Sequence, residues 1–279
     1  MPDAEIRSSL RRRDDVVEGM SPVFDGSNGP LRDLSVYRLR LGDDVESWDG
    51  RTGDTETVLH VLVGSCTVRC VTESGELEFF DVGEREDVFS AAPTTVILPP
   101  GTSYSVVKSG RSVDLAVGSV VLPEYEGGQQ PSIIRPQDVF EHHIGEAHFS
   151  RTVREVIGGE GRALRIRLGE TINPVGQWSS WPHHDFDADP ELAPLFEEVF
   201  LYFTKPRDGW GLQRRDGLYC DLQSVDDVIV VNNGDAAIVP LGEHPLVAGV
   251  DSSVLYVWFY LSPIPKTYSR WAEDVGGYA

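Results

Sequence analysis

Residues 197–261 read EEVFLYFTKPRDGWGLQRRDGLYCDLQSVDDVIVVNNGDAAIVPLGEHPLVAGVDSSVLYVWFYL. Four runs within them, EEVFLYF (197–203), DVIVVNN (227–233), AAIVPLG (236–242) and VLYVWFYL (254–261), are short, rich in β-branched and aromatic residues, and bounded by Gly, Pro, Asp and Asn. Such runs predict strands joined by turns; a helix would repeat its apolar positions every three or four residues. Upstream the pattern recurs in SVYRLRL (35–41), TVLHVLV (57–63), CTVRCVT (66–72), TTVILPP (94–100), SYSVVK (103–108), VDLAVGSVVL (113–122) and ALRIRLG (163–169). Helical periodicity is nearly absent, so the expected class is all-β, a sandwich or barrel.

The stretch YEGGQQPSIIRPQ (125–137) interrupts this series with Gly, Gln and Pro. It reads as the connection between two halves, residues 1–130 and 131–279. The halves echo each other. TTVILPPGTSYSVV (94–107) matches DAAIVPLGEHPLVA (235–248), with Gly101 over Gly242 and Ser103 over His244. ETVLHVLVG (56–64) matches EVFLYFTKP (198–206), with Glu56 over Glu198. A duplicated barrel is expected, with metal-binding histidines only in the second copy.

Those histidines belong to a donor-rich constellation. WPHHDFD (181–187) supplies His183, His184 and Asp185, Glu198 opens the next run, and His244 follows the turn in VPLGEHPL (239–246). Imidazole and carboxylate donors hold divalent metals when three or four converge and one position stays open for substrate. Adjacent strands of a small barrel could aim all of them inward.

Composition narrows the partners. The chain has 45 acidic and 24 basic residues, a formal charge of -21. Such a surface is repelled by nucleic acid and by anionic membranes, leaving a small molecule as the expected partner. Only Lys108, Lys205 and Lys266 are lysines. Cys66, Cys70 and Cys220 lack CxxC spacing and fit a reduced protein, the first two sharing one strand face as core residues. No apolar run reaches membrane-spanning length and the N-terminus has no signal-peptide core, so a soluble, cytoplasmic protein is expected. Tyr268, Trp271 and Tyr278 in the C-terminal tail could pack on a second subunit or back on the barrel, and a homodimer or larger homo-oligomer is expected.

Several ordered motifs carry a specific resemblance: RTVREVIG (151–158), LGETINPVGQWSSWPHHDFD (168–187), FEEVFLYF (196–203), GWGLQRR (209–215), NNGDAAIVPLGEHPLVA (232–248), LYVWFYL (255–261) and, in the first half, REDVFSAAPTTVILPPGTSYSVV (85–107). Together they resemble the bicupin 5-deoxy-glucuronate isomerase family of inositol catabolism, and more distantly the 5-keto-4-deoxyuronate isomerases of pectin breakdown. The resemblance implies two tandem cupin (jelly-roll) barrels. It also implies a metal-dependent aldose-ketose isomerase converting 5-deoxy-glucuronate to 2-deoxy-5-keto-gluconate.

The family holds its metal by an HxH segment, a glutamate and a later histidine. Glu198 and His244 match the last two. The HxH segment departs: counted forward, His184 takes the first histidine position and Phe186 the second; counted back from Glu198, His183 and Asp185 take them. His183, His184, Glu198 and His244 form the expected ligand set, with Asp185 as alternative. Zinc or manganese is the implied metal, with iron or nickel open. The family's Gln-Arg pair falls on Gln213 and Arg214, and Arg214 could pair bidentately with a substrate carboxylate or be a surface arginine.

Proton transfer between neighbouring carbons needs a base, for which Glu197, Asp226, Asp227 or a metal-bound water are candidates. Trp178, Trp181 and Trp210 could face a sugar or only pack the barrel. His60 reads as a satisfied core histidine, and His142 and His143 as solvated or interface groups. Two other functions stay open: a metal cupin of different chemistry, such as a dioxygenase, and a non-catalytic sugar-acid-binding cupin.

Overall fold

The structure, a computed structural model, describes residues 9–12, 17–122, 124–158, 161–181 and 189–261. Among these the chain forms, in its first half, β1 (Leu10–Arg11), β2 (Gly19–Phe24), β3 (Leu34–Leu41), β4 (Ser47–Arg51), β5 (Thr55–Thr72), β6 (Gly75–Arg85), β7 (Thr95–Leu98) and β8 (Ser103–Val121). There follow β9 (Ser132–Ile134), β10 (Phe140–Ile144), β11 (Arg151–Ile157), β12 (Arg167–Asn173), β13 (Trp178–Ser179), β14 (Glu197–Lys205), β15 (Trp210–Leu218), β16 (Ser224–Asn232), β17 (Ala236–Val239), β18 (Leu241–Glu243), β19 (Leu246–Ala248) and β20 (Ser253–Leu261). The described helical elements are short 3-10 turns, such as Pro190–Leu195. The all-β expectation therefore holds.

Two long strands each absorb two of the expected ones. TVLHVLV and CTVRCVT are both in β5, and SYSVVK and VDLAVGSVVL are both in β8. The chain bends there: pairing shifts between Val61 and Val63 and again between Gly64 and Cys66. Gly64 has φ +80°, and a Cβ on it would sit 2.3 Å from the Ser112 carbonyl oxygen, so only glycine fits this corner. Cys66 and Cys70 are buried on the same side beyond it, and burial pushes both thiols up to about 12.

The first half's sheet runs β2-β3-β8-β5-β7-β9, and the larger sheet of the second half runs β1-β17-β14-β20-β12-β11-β10. β3-β8-β5-β7 thus has its counterpart in β12-β20-β14-β17. A second, smaller sheet, β13-β19-β15-β16, faces the larger one in the second half. β7 and β17 are four-residue strands, buried throughout, and each needs an edge partner for its backbone. The halves supply it crosswise: β9 pairs with β7, and β1 pairs with β17.

This correspondence corrects the repeat register by one residue. The Glu56 carboxylate accepts hydrogen bonds from the backbone N–H groups of Leu164, Arg165 and Ile166 at 2.6, 2.9 and 3.0 Å. Glu197, not Glu198, makes the reciprocal contact, accepting from Asp33 at 3.0 Å and Leu34 at 2.8 Å. Glu198 instead stands opposite Val239 on β17 as Thr57 stands opposite Leu98 on β7.

Strand alternation then sorts the side chains. Val199, Leu201 and Phe203 of β14 join Val58, Leu62 and Val120 of the first half in a shared core at the junction. Glu198, Phe200 and Tyr202 point the other way, into the interior of the second half, with Tyr256, Trp258 and Tyr260 of β20. At Gly118 the two sheets approach so closely that a Cβ would lie 2.6 Å from the Phe259 ring.

The junction also buries charge. Glu170 is fully buried and accepts from Arg85 Nη2 at 2.7 Å and Arg154 Nη1 at 3.1 Å, with His60 Nε2 at 3.1 Å. His60 Nδ1 lies 2.9 Å from Thr95 Oγ1, so both ring nitrogens are satisfied, as expected of a core histidine. Burial works to raise the Glu170 carboxyl, but the Arg85 guanidinium and the His60 hydrogen bond outweigh it and hold the group at about 2. Burial keeps His60 below its ordinary value, hence neutral.

Candidate active site

Glu198 lies second in β14, where the alternation that sends Glu197 to the junction turns Glu198 inward; it is 1% exposed. Its neighbour across the ladder is Tyr260, on which Phe196 stacks with ring centroids 6.4 Å apart. The carboxylate is thus set among aromatic rings, where desolvation favours a bound cation as partner.

His244 is placed by the β18 turn. Gly242, at φ +136°, leaves no room for a side chain, because a Cβ would meet the Asp216 carbonyl oxygen at 2.3 Å. Two residues on, His244 is 1% exposed and its Nδ1 lies 2.8 Å from the Gly242 carbonyl oxygen. Only a protonated Nδ1 can donate to a carbonyl, so the lone pair is on Nε2. The His244 ring meets Phe200 edge-on at 6.1 Å, and Phe200 is two residues from Glu198 on the same strand face. The structure therefore brings Glu198 and His244 into one interior.

Gln213 is fully buried and holds this histidine from behind. Its side-chain amide donates to the His244 carbonyl oxygen, while its Oε1 accepts from the Tyr202 hydroxyl at 3.2 Å. Gln213 thus ties the His244 backbone to Tyr202. Its neighbour Arg214 is turned outward, with Nη1 2.7 Å from Asp226 and Nη2 2.8 Å from Asp216. Of the two readings of Arg214, substrate ligand or surface arginine, strand alternation and these ion pairs favour the surface arginine. The inward guanidinium is that of Arg215, fully buried and bidentate to Asp227 at 2.9 and 2.6 Å.

The base candidates are likewise redistributed. Glu197 is tied to the backbone at the junction, and burial raises its carboxyl. The Asp226 carboxylate lies on the outer face against Arg214, and that of Asp227 is committed to Arg215.

His183, His184 and Asp185 lie outside the described residues. Described residues before and after them, Ser179, Ser180 and Phe196, meet the inner face of β20. Tyr256 donates from its hydroxyl to Ser179 Oγ at 3.1 Å, with Ser180 Oγ 3.2 Å away, and buried Asn173 donates to Ser179 Oγ at 2.8 Å. On the far side Phe196 stacks on Tyr260. Among the described residues no group of three or more His, Cys, Asp or Glu stands close enough to hold a metal. In the first half the positions equivalent to Glu198 and His244 are Thr57 and Ser103, so that half lacks these two donors.

Trp178 and Trp181 are exposed and Trp210 is half-buried against Gly249. His142 and His143 lie on β10, the latter largely exposed beside Thr152. Tyr202, Tyr256 and Arg215 escaped the sequence reading, although their spacing of two from Phe200, Trp258 and Gln213 is the signal that they share an inward face.

Comparison with known proteins gives the family and the fold. The KduI/IolB family model matches residues 11–276. A 5-deoxy-glucuronate isomerase of Geobacillus kaustophilus is 29% identical over 240 residues, covering 85% of this chain and 80% of the relative. That of Halalkalibacterium halodurans is 28% identical over 272 residues, 94% of each chain. The crystal structure of an IolB-like protein from Salmonella typhimurium superimposes with a TM-score of 0.79 at 24% identity, covering 92% of this chain and 94% of that one. Oxalate decarboxylase of Lactobacillus farciminis shares the fold at a TM-score of 0.59 and 10% identity, covering 97% and 89%. No described helix is long and apolar enough to cross a membrane.

Proposed function

The chain belongs to the KduI/IolB family, and from that premise we propose that it is a metal-dependent aldose-ketose isomerase converting 5-deoxy-glucuronate to 2-deoxy-5-keto-gluconate. It is an isomerase, an intramolecular oxidoreductase. The observation that carries the reading is the pairing of a buried carboxylate, Glu198, with a buried imidazole whose tautomer directs the Nε2 lone pair away from Gly242. One oxygen and one nitrogen donor in an aromatic interior fit a divalent transition metal, with His183, His184 or Asp185 completing the set. Zinc or manganese suits these donors.

A divalent cation held by Glu198, His244 and donors of the 183–185 segment would supply Lewis-acid stabilisation of the charge on the carbonyl and hydroxyl oxygens of the sugar acid. The chain's own residues prepare the site. Gly242 fixes the His244 tautomer and Gln213 fixes its backbone. Phe200, Tyr256 and Tyr260 exclude water, so that each polar contact with substrate gains strength. Two tandem cupin barrels, residues 1–130 and 131–279, are the architecture this reading assigns, in a cytoplasmic homo-oligomer of which only the second barrel works.

The test is proton NMR of 5-deoxy-glucuronate with the purified enzyme. Loss of the substrate signals with growth of the 2-deoxy-5-keto-gluconate signals, abolished by Glu198→Ala, supports the assignment. An unchanged spectrum at high enzyme concentration with zinc or manganese added overturns the substrate.

A further inference from the structure

At the junction between the halves a cleft of about 410 Å³ opens between β3, β8 and the end of β14. A cavity of this size is in the range that small ligands occupy. Arg38 lies at the cleft, 9% exposed, with Nε and Nη2 paired to Asp114 at 3.0 and 2.6 Å. Its Nη1 makes no hydrogen bond among the described residues. Arg40, Lys205 and Arg207 also line the cleft, and none forms an ion pair among the described residues.

That grouping runs against the composition. In a chain of 45 acids to 24 bases, Arg12, Arg69, Arg165, Arg214 and Arg215 each meet a carboxylate, whereas these three cations share one cavity without an ion pair among the described residues. Arg38 is matched by Asp114, and Arg40, Lys205 and Arg207 outnumber the two remaining lining carboxylates, Glu86 and Asp87, so an anion entering the cavity meets a net positive charge. The cleft wall adds the Phe89 and Phe203 rings, which suit a carbon skeleton more than a bare inorganic ion, and the Lys205 ammonium lies 5.9 Å from the Phe89 centroid. Glu86 and Asp87 line the same cleft and can accept from hydroxyl groups.

We propose that this cleft binds a small hydroxylated organic anion carrying at least two carboxylates. One carboxylate meets Arg38, a second meets Arg40 and Arg207, and the hydroxyl faces Glu86 or Asp87. The site is separate from the Glu198–His244 interior, because β14 sends Phe203 and Lys205 to the cleft and Glu198 to the interior.

Isothermal titration of the full-length protein with malate at low ionic strength tests it. The expected result is one saturable site, retained in Glu198→Gln. Arg40→Gln/Arg207→Gln, at two exposed positions, removes charge-assisted contacts and weakens malate at least about tenfold. Succinate and inorganic phosphate bind more weakly than malate. The proposal is overturned by the absence of saturable heat, by equal affinity in the double variant, by loss of binding in Glu198→Gln, or by succinate or phosphate binding as tightly as malate.

Discussion

Replacing Glu170 by glutamine removes one charge from the junction while keeping the side chain's shape. The carboxylate is fully buried and faces Arg85, Arg154 and His60. Breaking a buried ion pair by neutralising one partner costs about 3–5 kcal/mol, because the guanidinium groups stay buried without their counter-charge. The depressed carboxyl points to the same scale. The carboxyl is held at about 2 against an ordinary 4.5. At about 1.4 kcal/mol per pH unit that interval is worth about 3 kcal/mol. In a chain of this size 1 kcal/mol moves Tm by about 2–4 °C, so a cost of about 3–5 kcal/mol means that Glu170→Gln should lower Tm by about 6–20 °C at pH 7.

The sign of the pH dependence follows from the depressed carboxyl. The unfolded chain takes up the proton near 4.5 while the folded chain resists until about 2, so the contribution is complete above pH 5 and is lost as pH falls toward 2. His60, kept neutral by burial, adds an acid-side loss of its own, present in both proteins and larger in the variant, which lacks the Glu170 charge that raises the imidazole. Scanning calorimetry of wild type and variant from pH 7 to pH 3 should show the gap between them narrowing below about pH 5, where the carboxylate's contribution is lost. A gap under about 1 kcal/mol at pH 7, or one constant across the range, would refute the reasoning.

Gln213→Ala should leave the fold intact but loosen His244, weakening metal affinity by about 10–100-fold, measured by competition with a chromogenic chelator; unchanged affinity would remove Gln213 from the site. Gly64→Val places a branched side chain at φ +80° against the Ser112 carbonyl oxygen and should lower the urea midpoint by the equivalent of more than about 2 kcal/mol. Arg214→Ala, losing only surface pairs, should cost under about 1 kcal/mol and change kcat/KM less than about twofold; a large loss of kcat/KM would restore it as a substrate ligand.

Much of this was legible in residue order. EEVFLYF and VLYVWFYL are strands because nothing else accommodates so many β-branched and aromatic residues between turns, and the Gly242 turn marked His244. What the sequence hid was mostly a matter of one-residue parity. Glu197 and Glu198 are chemically alike, and only the hydrogen bonds from Asp33 and Leu34 reveal which one serves the junction. Arg214 and Arg215 are likewise adjacent, and the ladder with β16 decides which guanidinium is buried. The crosswise exchange of β1 and β9 left no trace in any local pattern, since both are short segments outside the apolar runs. The Glu170 network was invisible for a different reason: its members come from β5, β6, β11 and β12 and meet only when two sheets pack.

The most direct test of the central claim is elemental analysis of protein purified without chelators, beside Glu198→Ala and His244→Ala prepared identically and checked for folding by circular dichroism. A site built on these two residues should give close to one divalent transition metal per chain in the wild type and strongly reduced content in each folded variant. Wild-type metal content that survives both substitutions, or no metal in a wild type reconstituted with zinc or manganese, would contradict it.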